Sequence, residues 1–173
     1  MQIMKQNKKV LILSGPGGSG KTTIAELLVK RCGFVYLDGD AEDTEFFPDG
    51  EQWFTENSET LYRAHDKILK KAKVLFDEGN NVVVDYIIFG RYMEFFEKFR
   101  REFTDNLSVK ILFPSEKEII QRDKERKNWT TGVDRIVAVR AEFEAIKNTL
   151  GEQNYIDTSD ETVEQTFKRH FSC

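Results

Sequence analysis

Residues 10–23 combine an apolar run with glycines, a lysine and threonines, which are residue types that bind phosphate. The apolar residues 10–13 precede the pattern G-x-x-x-x-G-K-T, a phosphate-binding loop or P-loop. Its backbone N–H groups turn toward a polyphosphate, and the helix that follows directs its positive dipole end there. Lys21 is expected to reach the β and γ phosphates, and Thr22 to bind Mg²⁺. The predicted nucleotide-binding residues are Gly15, Gly17, Gly18, Ser19, Gly20, Lys21, Thr22 and Thr23.

Three aspartates stand where predicted strands end, which is where ligands collect in open parallel sheets. Asp38 and Asp40 follow the apolar residues 34–37, and Asp85 closes the run 81–85. Such carboxylates can hold a metal or accept the proton of a hydroxyl. The spacing leaves open whether Asp38 or Asp40 is the base, and a plain turn or strand-end cap is the alternative for each. The predicted metal ligands are Thr22, Asp38 and Asp85.

Two arginines lie in a helix predicted over about 116–127. Arg122 and Arg126 are four residues apart, so they would project from one face near the helix end. After the fourth strand they could close over phosphates as part of a lid over about 122–135, a role that suits planar, permanently charged Arg. A solvated salt-bridge face is the alternative. The predicted catalytic residues are Lys21, Asp38, Asp40, Arg122 and Arg126.

The composition indicates one globular domain over residues 1–173, since 39% of residues are hydrophobic, 32% are charged and only three are proline. No apolar run reaches the length of a membrane span. The net charge of −4 argues against nucleic acid as a partner. Cys32 and Cys173 lack metal-ligand spacing, so we expect free thiols and a cytoplasmic location. A monomer or weak dimer is the expected state.

Apolar segments alternate with helical patterns along the chain. Predicted strands cover residues 10–13, 34–37, 81–85, 107–113 and 154–157, and the helices between them suit parallel crossovers. We predict an α/β three-layer sandwich with a mainly parallel five-stranded sheet, its order 2-3-1-4-5 taken from fold analogy. The acidic and aromatic residues 41–56 are predicted as a substrate-side excursion. In a helix predicted over 57–78, His65 falls on the apolar face and is expected to pack at the core edge.

Several segments together resemble one group of enzymes: the P-loop and residues 37–40, 120–122, 125–127, 142–144 and 156–158. They are similar to small-molecule P-loop kinases of the gluconate kinase and shikimate kinase group, within the adenylate-kinase-like P-loop NTPase fold. The resemblance implies that Asp38 and Asp40 lie at the metal and acceptor, Arg122 and Arg126 on the nucleotide and lid side, Thr158 near the adenine, and Arg91 on the acceptor side.

This sequence also departs from both kinases. Ala41-Glu42 stands where gluconate kinases have a His-Pro pair, and residues 85–91 contain one glycine where shikimate kinases have several. The resemblance therefore leaves the acceptor open.

These features predict an ATP- and Mg²⁺-dependent phosphotransferase that moves the γ-phosphoryl group to a hydroxyl of a sugar, sugar acid, nucleoside or aromatic metabolite. One alternative is a nucleoside monophosphate kinase, which would need an arginine cluster between the second and third strands, where Arg63 stands alone. Another is a non-kinase switch protein. Because the chain lacks the Asn-Lys-x-Asp motif that reads guanine, such a switch would hold ATP.

Overall fold

The computed structural model describes residues 8–127 and 130–173, and its five strands form one sheet in which every pair is parallel. The strand order is β2-β3-β1-β4-β5, which confirms the predicted order and fold class. The strands are β1 (Val10–Ser14), β2 (Val35–Asp38), β3 (Val82–Asp85), β4 (Leu107–Leu112) and β5 (Tyr155–Ile156).

Helices and short 3₁₀ turns connect the strands. The helices are α1 (Lys21–Cys32), α2 (Gly39–Asp43), α3 (Ser58–Asp77), α4 (Met93–Phe103), α5 (Glu116–Lys124), α6 (Val133–Ala145), α7 (Lys147–Leu150) and α8 (Val163–His170). The 3₁₀ turns are Thr55–Asn57, Gly90–Tyr92, Thr104–Asn106 and Glu152–Asn154. The helix predicted over 116–127 ends earlier, at Lys124, and Ile146 separates α6 from α7.

Side chains of β1 alternate between two apolar clusters, one on each face of the sheet. Val10 and Ile12 belong to the cluster formed with α3 and α4, whereas Leu11 and Leu13 belong to the cluster formed with α1 and α8. A strand directs successive side chains to opposite faces, so a continuous apolar run is what a strand covered on both sides requires. This alternation produces the predicted three layers.

The aromatic residues of α4 form much of the first cluster. Phe95 and Phe99 are fully buried, and their rings lie 4.3 Å apart between centroids. His65 is also fully buried in this cluster, and its Nδ1 lies 2.7 Å from Glu94 Oε2. Burial lowers the pKa of His65, which Glu94 partly opposes. The prediction that His65 packs in the core rather than in a reactive position is consistent with this environment.

The prediction of free thiols is wrong. Cys32 and Cys173 form a disulfide with their Cα atoms 5.0 Å apart. Helix α8 packs on α1, where Arg31 forms an ion pair with Glu164, and this contact brings Cys173 to the end of α1. The two cysteines lie 141 residues apart, and nothing in the sequence indicated that they would pair. Because the two cysteines are paired, free thiols no longer argue for a reducing compartment. A cytoplasmic location therefore stays a prediction.

No helix in the described ranges is long and apolar enough to cross a membrane. The single-domain assignment and the oligomeric state stay predictions.

Candidate active site

The P-loop connects β1 to α1 through backbone conformations that glycine favours. Gly15 has a φ of 141° and Gly20 a φ of 96°, both on the left-handed side where a Cβ atom would be strained. At Gly15 a Cβ would also lie 2.3 Å from the carbonyl oxygen of Leu112. Lys21 folds back over the loop, with its Nζ donating to the carbonyl oxygens of Gly15 (2.9 Å) and Pro16 (3.2 Å). Burial lowers the pKa of Lys21, while Asp85 and Asp40 act in the opposite direction.

The residues of this loop fit a polyphosphate. The hydroxyl of Ser19 is buried, and no described residue forms a hydrogen bond with it. The loop opens directly onto the first turn of α1, a twelve-residue helix whose N-terminal N–H groups favour an anion. A buried hydroxyl, unpaired helix N–H groups and a lysine are the donors that phosphate oxygens accept from.

A cleft of about 400 Å³ extends from the P-loop toward α8. Thr158, predicted to lie near the adenine, is buried in its wall, and its carbonyl oxygen accepts a hydrogen bond of 3.0 Å from Arg122 Nη2. Arg122 is held by Glu118, whose Oε1 accepts from the arginine Nε at 2.8 Å. The structure therefore brings Arg122 and Thr158 together beside the P-loop. Other lining residues of this cleft include Ser19, Gly20, Thr23 and Thr162.

Arg126 approaches the P-loop from the segment beyond α5. Its Nη2 lies 3.8 Å from where a Cβ of Gly18 would stand, and its Nη1 is 3.6 Å from Asp123 Oδ1. Helix α5 ends at Lys124, so Arg126 lies beyond it. The prediction that Arg122 and Arg126 share one helical face is therefore wrong. Of the predicted lid, residues 128 and 129 lie outside the described residues.

The predicted metal ligands meet at the carboxyl ends of β2 and β3. Asp38 and Asp85 are register partners across these strands, and Thr22 Oγ1 donates to Asp85 Oδ2 at 3.3 Å. Tyr36 donates to the same oxygen, also at 3.3 Å. Burial raises the pKa of Asp85, and Lys21 lowers it in part.

These ligands suit Mg²⁺ in combination with nucleotide phosphates. Hydroxyl and carboxylate oxygens are hard ligands, and Mg²⁺ commonly takes one or two protein carboxylates while substrate phosphates supply other ligands. Within the described ranges, no group of three or more His, Cys, Asp or Glu residues could hold a metal by itself. The hydroxyl of Thr22 and the carboxylates of Asp38 and Asp85 are thus residues that fit Mg²⁺ together with nucleotide phosphates.

Helix α2 adds two carboxylates at the same edge of the sheet, those of Asp40 and Asp43. Its N-cap is Asp38, whose Oδ1 accepts from the Ala41 amide at 3.1 Å. Although Asp40 reaches solvent, its pKa is raised to about 6, first because the surrounding protein partly removes its carboxylate from water and then because Asp43, Asp85 and Asp38 are negatively charged.

Sequence reasoning missed Asp43 and Tyr86. Asp43 is buried, its Oδ2 accepts from the Tyr86 hydroxyl at 2.8 Å, and burial raises its pKa to about 6. Gly39 makes this contact possible, since a Cβ there would lie 2.3 Å from the Tyr86 ring. The available signal was the spacing of Asp43, three residues after Asp40 and so on the same side of a short helix.

Aromatic rings connect Tyr86, the partner of Asp43, to Trp53, because Tyr92 packs against both with ring centroids 5.2 and 5.4 Å away. Trp53 stacks on Phe89 at 6.3 Å between ring centroids, and the Arg135 guanidinium lies 4.6 Å from the centre of the Trp53 ring. Arg91 holds the excursion in place, donating to Ser58 Oγ and to the Gln52 carbonyl oxygen, both at 3.0 Å. Arg91, which the resemblance places on the acceptor side, thus forms hydrogen bonds with other parts of the protein.

The parallel sheet with a P-loop between β1 and α1 defines a P-loop NTPase fold. The chain belongs to the family described as AAA domain, whose model matches residues 10–153.

The curated relatives of the chain include kinases. A cytidine diphosphoramidate kinase of Campylobacter jejuni is 30% identical and aligns over 82% of this chain and 83% of its own length. A guanylate kinase of Caldanaerobacter subterraneus is 26% identical, with coverage of 93% and 84%. These relatives support a phosphotransferase enzyme.

Solved structures with this fold include three small-molecule kinases. A sugar kinase from Janibacter sp. has a TM-score of 0.72 at 18% identity and covers 94% of this chain and 91% of its own. A shikimate kinase from Bacteroides thetaiotaomicron has a TM-score of 0.65 at 17% identity, with coverage of 93% and 95%. A gluconokinase from Sinorhizobium meliloti has a TM-score of 0.64 at 17% identity, with coverage of 92% and 87%. The predicted resemblance to P-loop small-molecule kinases is confirmed.

Proposed function

We propose that the chain is an ATP- and Mg²⁺-dependent phosphotransferase that transfers a phosphoryl group to a hydroxyl of a small molecule. The observation that carries this proposal is the contact between the P-loop and the strand-end carboxylates, where Thr22, next to Lys21, donates to Asp85 at 3.3 Å and Asp85 is the register partner of Asp38. Phosphoryl transfer to an alcohol needs a cation for the phosphate oxygens, carboxylates for the metal and a base for the hydroxyl. The kinase relatives support the same reaction class.

On the donor side, the P-loop amides and Lys21 hold the phosphates, and Arg122 and Thr158 line the adenosine end of the cleft. Arg126 adds positive charge over the loop. Thr22, Asp85 and Asp38 are the residues that would hold Mg²⁺. When bound, the metal neutralises phosphate charge that develops during transfer.

Asp40 is the proposed base. Its pKa of about 6 leaves it ionised at neutral pH while keeping it more basic than an ordinary aspartate. It takes the proton of the acceptor hydroxyl, so that the hydroxyl oxygen can attack the phosphorus as the bond to the departing ADP breaks. Asp38 has a different environment, because its carboxylate caps α2 at the Ala41 amide. We therefore assign Asp38 to the metal and the helix cap.

The charges of the acceptor side favour an acceptor without a phosphate. Asp38, Asp40, Asp43 and Asp85 place negative charge at this edge. Arg91 has partners in Ser58 and Gln52, and Arg63 lies exposed in a surface cleft with lysines of α3. The Trp53 and Phe89 rings offer an apolar surface to a ring-bearing molecule.

A nucleoside monophosphate kinase is the second candidate, because the guanylate kinase relative aligns over most of both chains. Its acceptor would present a phosphate instead of a hydroxyl.

An acceptor panel separates these functions. Purified protein is incubated with ATP and Mg²⁺ and either nucleosides, sugars, sugar acids and aromatic alcohols or nucleoside monophosphates, and ADP release and product mass are measured. We expect a hydroxyl compound to stimulate ADP release, and Asp40→Asn to lower kcat by about 10²-fold or more. Asp105→Asn, at an exposed aspartate in the 3₁₀ turn Thr104–Asn106, is the control. Stimulation by monophosphates alone would favour the second candidate, and tight ATP binding without stimulation would favour a switch protein.

A further inference from the structure

Beyond α5, Asp123 folds the chain back over the P-loop. Its side chain is buried, and its two oxygens accept hydrogen bonds of 2.8 and 2.9 Å from the Thr131 amide, while Oδ2 also accepts from the Gly132 amide at 3.0 Å. Burial alone would raise the pKa of Asp123, but the hydrogen bonds from Thr131 and Gly132 outweigh it, so the pKa is lowered. An ionised carboxylate therefore fixes the backbone at Thr131.

The fixed side chain of Thr131 faces the phosphate-binding loop. Its Oγ1 lies 3.2 Å from where a Cβ of Gly17 would stand, which is a tight contact, so the Thr131 side chain lies directly against the loop at Gly17. The same Oγ1 is buried and lies near the Asp123 carboxylate, but no described residue meets it in hydrogen-bonding geometry. A buried hydroxyl without a partner costs free energy unless a ligand supplies one.

The position along the loop indicates which part of a nucleotide would supply that partner. Gly17 directly follows Pro16, whose carbonyl oxygen accepts from Lys21 Nζ at 3.2 Å. The lysine of a P-loop serves the β and γ phosphates. The adenosine end of the cleft is lined instead by Arg122 and Thr158, on the side toward α8.

We infer that Thr131 is a further nucleotide-binding residue, whose hydroxyl donates to an oxygen of the terminal phosphate of ATP, and that Asp123 positions it. This inference rests on the proposed use of ATP. Thr131, in the predicted lid, would then distinguish ATP from ADP, because ADP lacks the phosphate that its hydroxyl would contact.

Equilibrium binding tests the inference without any acceptor. The affinities of a non-hydrolysable ATP analogue and of ADP, each with Mg²⁺, are measured by calorimetry for the wild type, Thr131→Val, Thr131→Ser and Thr130→Val. Thr131→Val keeps the shape of the side chain and removes the hydroxyl. It should weaken binding of the ATP analogue about 10-fold or more, the usual effect of losing a hydrogen bond to a charged group, and change ADP affinity less than 2-fold.

Two variants serve as controls. Thr131→Ser retains the hydroxyl and should preserve the preference for the ATP analogue, and Thr130→Val alters the exposed neighbour and should do the same. Equal weakening of both nucleotides by Thr131→Val would overturn the inference, as would no weakening of either, which would indicate a hydroxyl that serves only the Asp123 contact.

The proposed function can fail separately. A wild type that binds the ATP analogue but phosphorylates no acceptor contradicts the proposed function, while the binding ratios still decide the role of Thr131. A wild type that binds neither nucleotide overturns both.

Discussion

The donor and acceptor sides of the site are built from the chain in different ways. On the proposed donor side, residues 10–23 supply the strand, the P-loop and the start of the helix. On the acceptor side, the contact between Asp43 and Tyr86 joins residues 43 positions apart, and Arg91 reaches Gln52 across 39 positions. The P-loop of the donor side therefore depends on local backbone conformation, whereas the acceptor side depends on contacts that form only when the whole fold assembles.

This difference predicts different responses to substitution. Changing a donor-side residue should alter phosphate binding and leave distant packing intact. A change in the acceptor-side contacts should alter stability and catalysis together, because the same groups support α2 and surround Asp40.

The largest expected effect is on the donor side. Lys21→Ala removes the charge that lies over Gly15 and Pro16 and would meet the phosphates, so kcat/KM should fall by about 10³-fold or more. The melting temperature should stay close to that of the wild type, since the substitution leaves the P-loop glycines unchanged. Steady-state kinetics and thermal unfolding check this prediction, with the exposed Lys70→Ala as control. Near-normal turnover in Lys21→Ala would show that the P-loop lysine takes no part in the reaction.

A pair of glycine variants contrasts the two sides directly. Gly39→Ala adds a Cβ that would overlap the Tyr86 ring, and overpacking of this kind costs about 2–3 kcal/mol. Gly20→Ala adds a Cβ with no atom within 4 Å, and its cost comes from a φ of 96°, which a Cβ atom disfavours. Denaturant unfolding in the wild type and in Tyr86→Ala measures both costs.

The cost of Gly39→Ala should largely disappear in the Tyr86→Ala background, while that of Gly20→Ala should be the same in both. If Gly39→Ala costs as much without the Tyr86 ring as with it, the ring does not set the acceptor-side geometry.

A smaller effect is expected from Asp43→Asn. The pKa of Asp43 is raised to about 6 in the folded protein from 3.8, so folding favours the protonated form. The stability that protonation contributes is present at about pH 4 and is lost as the pH rises through 6. Asp43→Asn should therefore raise the unfolding free energy at pH 7.5, on the order of 2 kcal/mol, with little change at pH 4.

Thermal unfolding across this pH range checks the prediction for Asp43. Tyr86→Phe is the companion variant, because it removes the hydrogen bond that lowers the pKa of Asp43, and it should strengthen the pH dependence. A stability difference between Asp43→Asn and the wild type that is the same at both pH values would contradict the account.

The sequence was sufficient to predict the parts of the molecule whose signals are local. The apolar runs predicted five strands, since a strand buried on both faces needs no long-range information to be recognised, whereas the strand order came from fold analogy. The P-loop predicted the donor side, because the glycine pattern itself determines the backbone. Asp38, Asp85 and Thr22 lie together because the carboxyl ends of parallel strands meet at one edge, and their role as metal ligands stays a prediction.

Other features depend on packing that no local pattern records. The Tyr86 ring reaches Asp43 because Gly39 leaves room for it, and neither residue signals this in its own segment. Helix α5 ends at Lys124, where Asp123 binds the returning backbone, so Arg126 reaches the P-loop from beyond the helix. The disulfide likewise follows from the packing of α8 on α1.

The most direct test of the account follows the phosphoryl group itself. ATP radiolabelled at the γ-phosphate is mixed with the protein, Mg²⁺ and each acceptor that stimulates ADP release, and the labelled product is identified. The account predicts that the label appears on a hydroxyl oxygen of the acceptor in the wild type and is lost in Lys21→Ala and Asp40→Asn. Label found only as inorganic phosphate, or on the phosphate of a nucleotide acceptor, would contradict it.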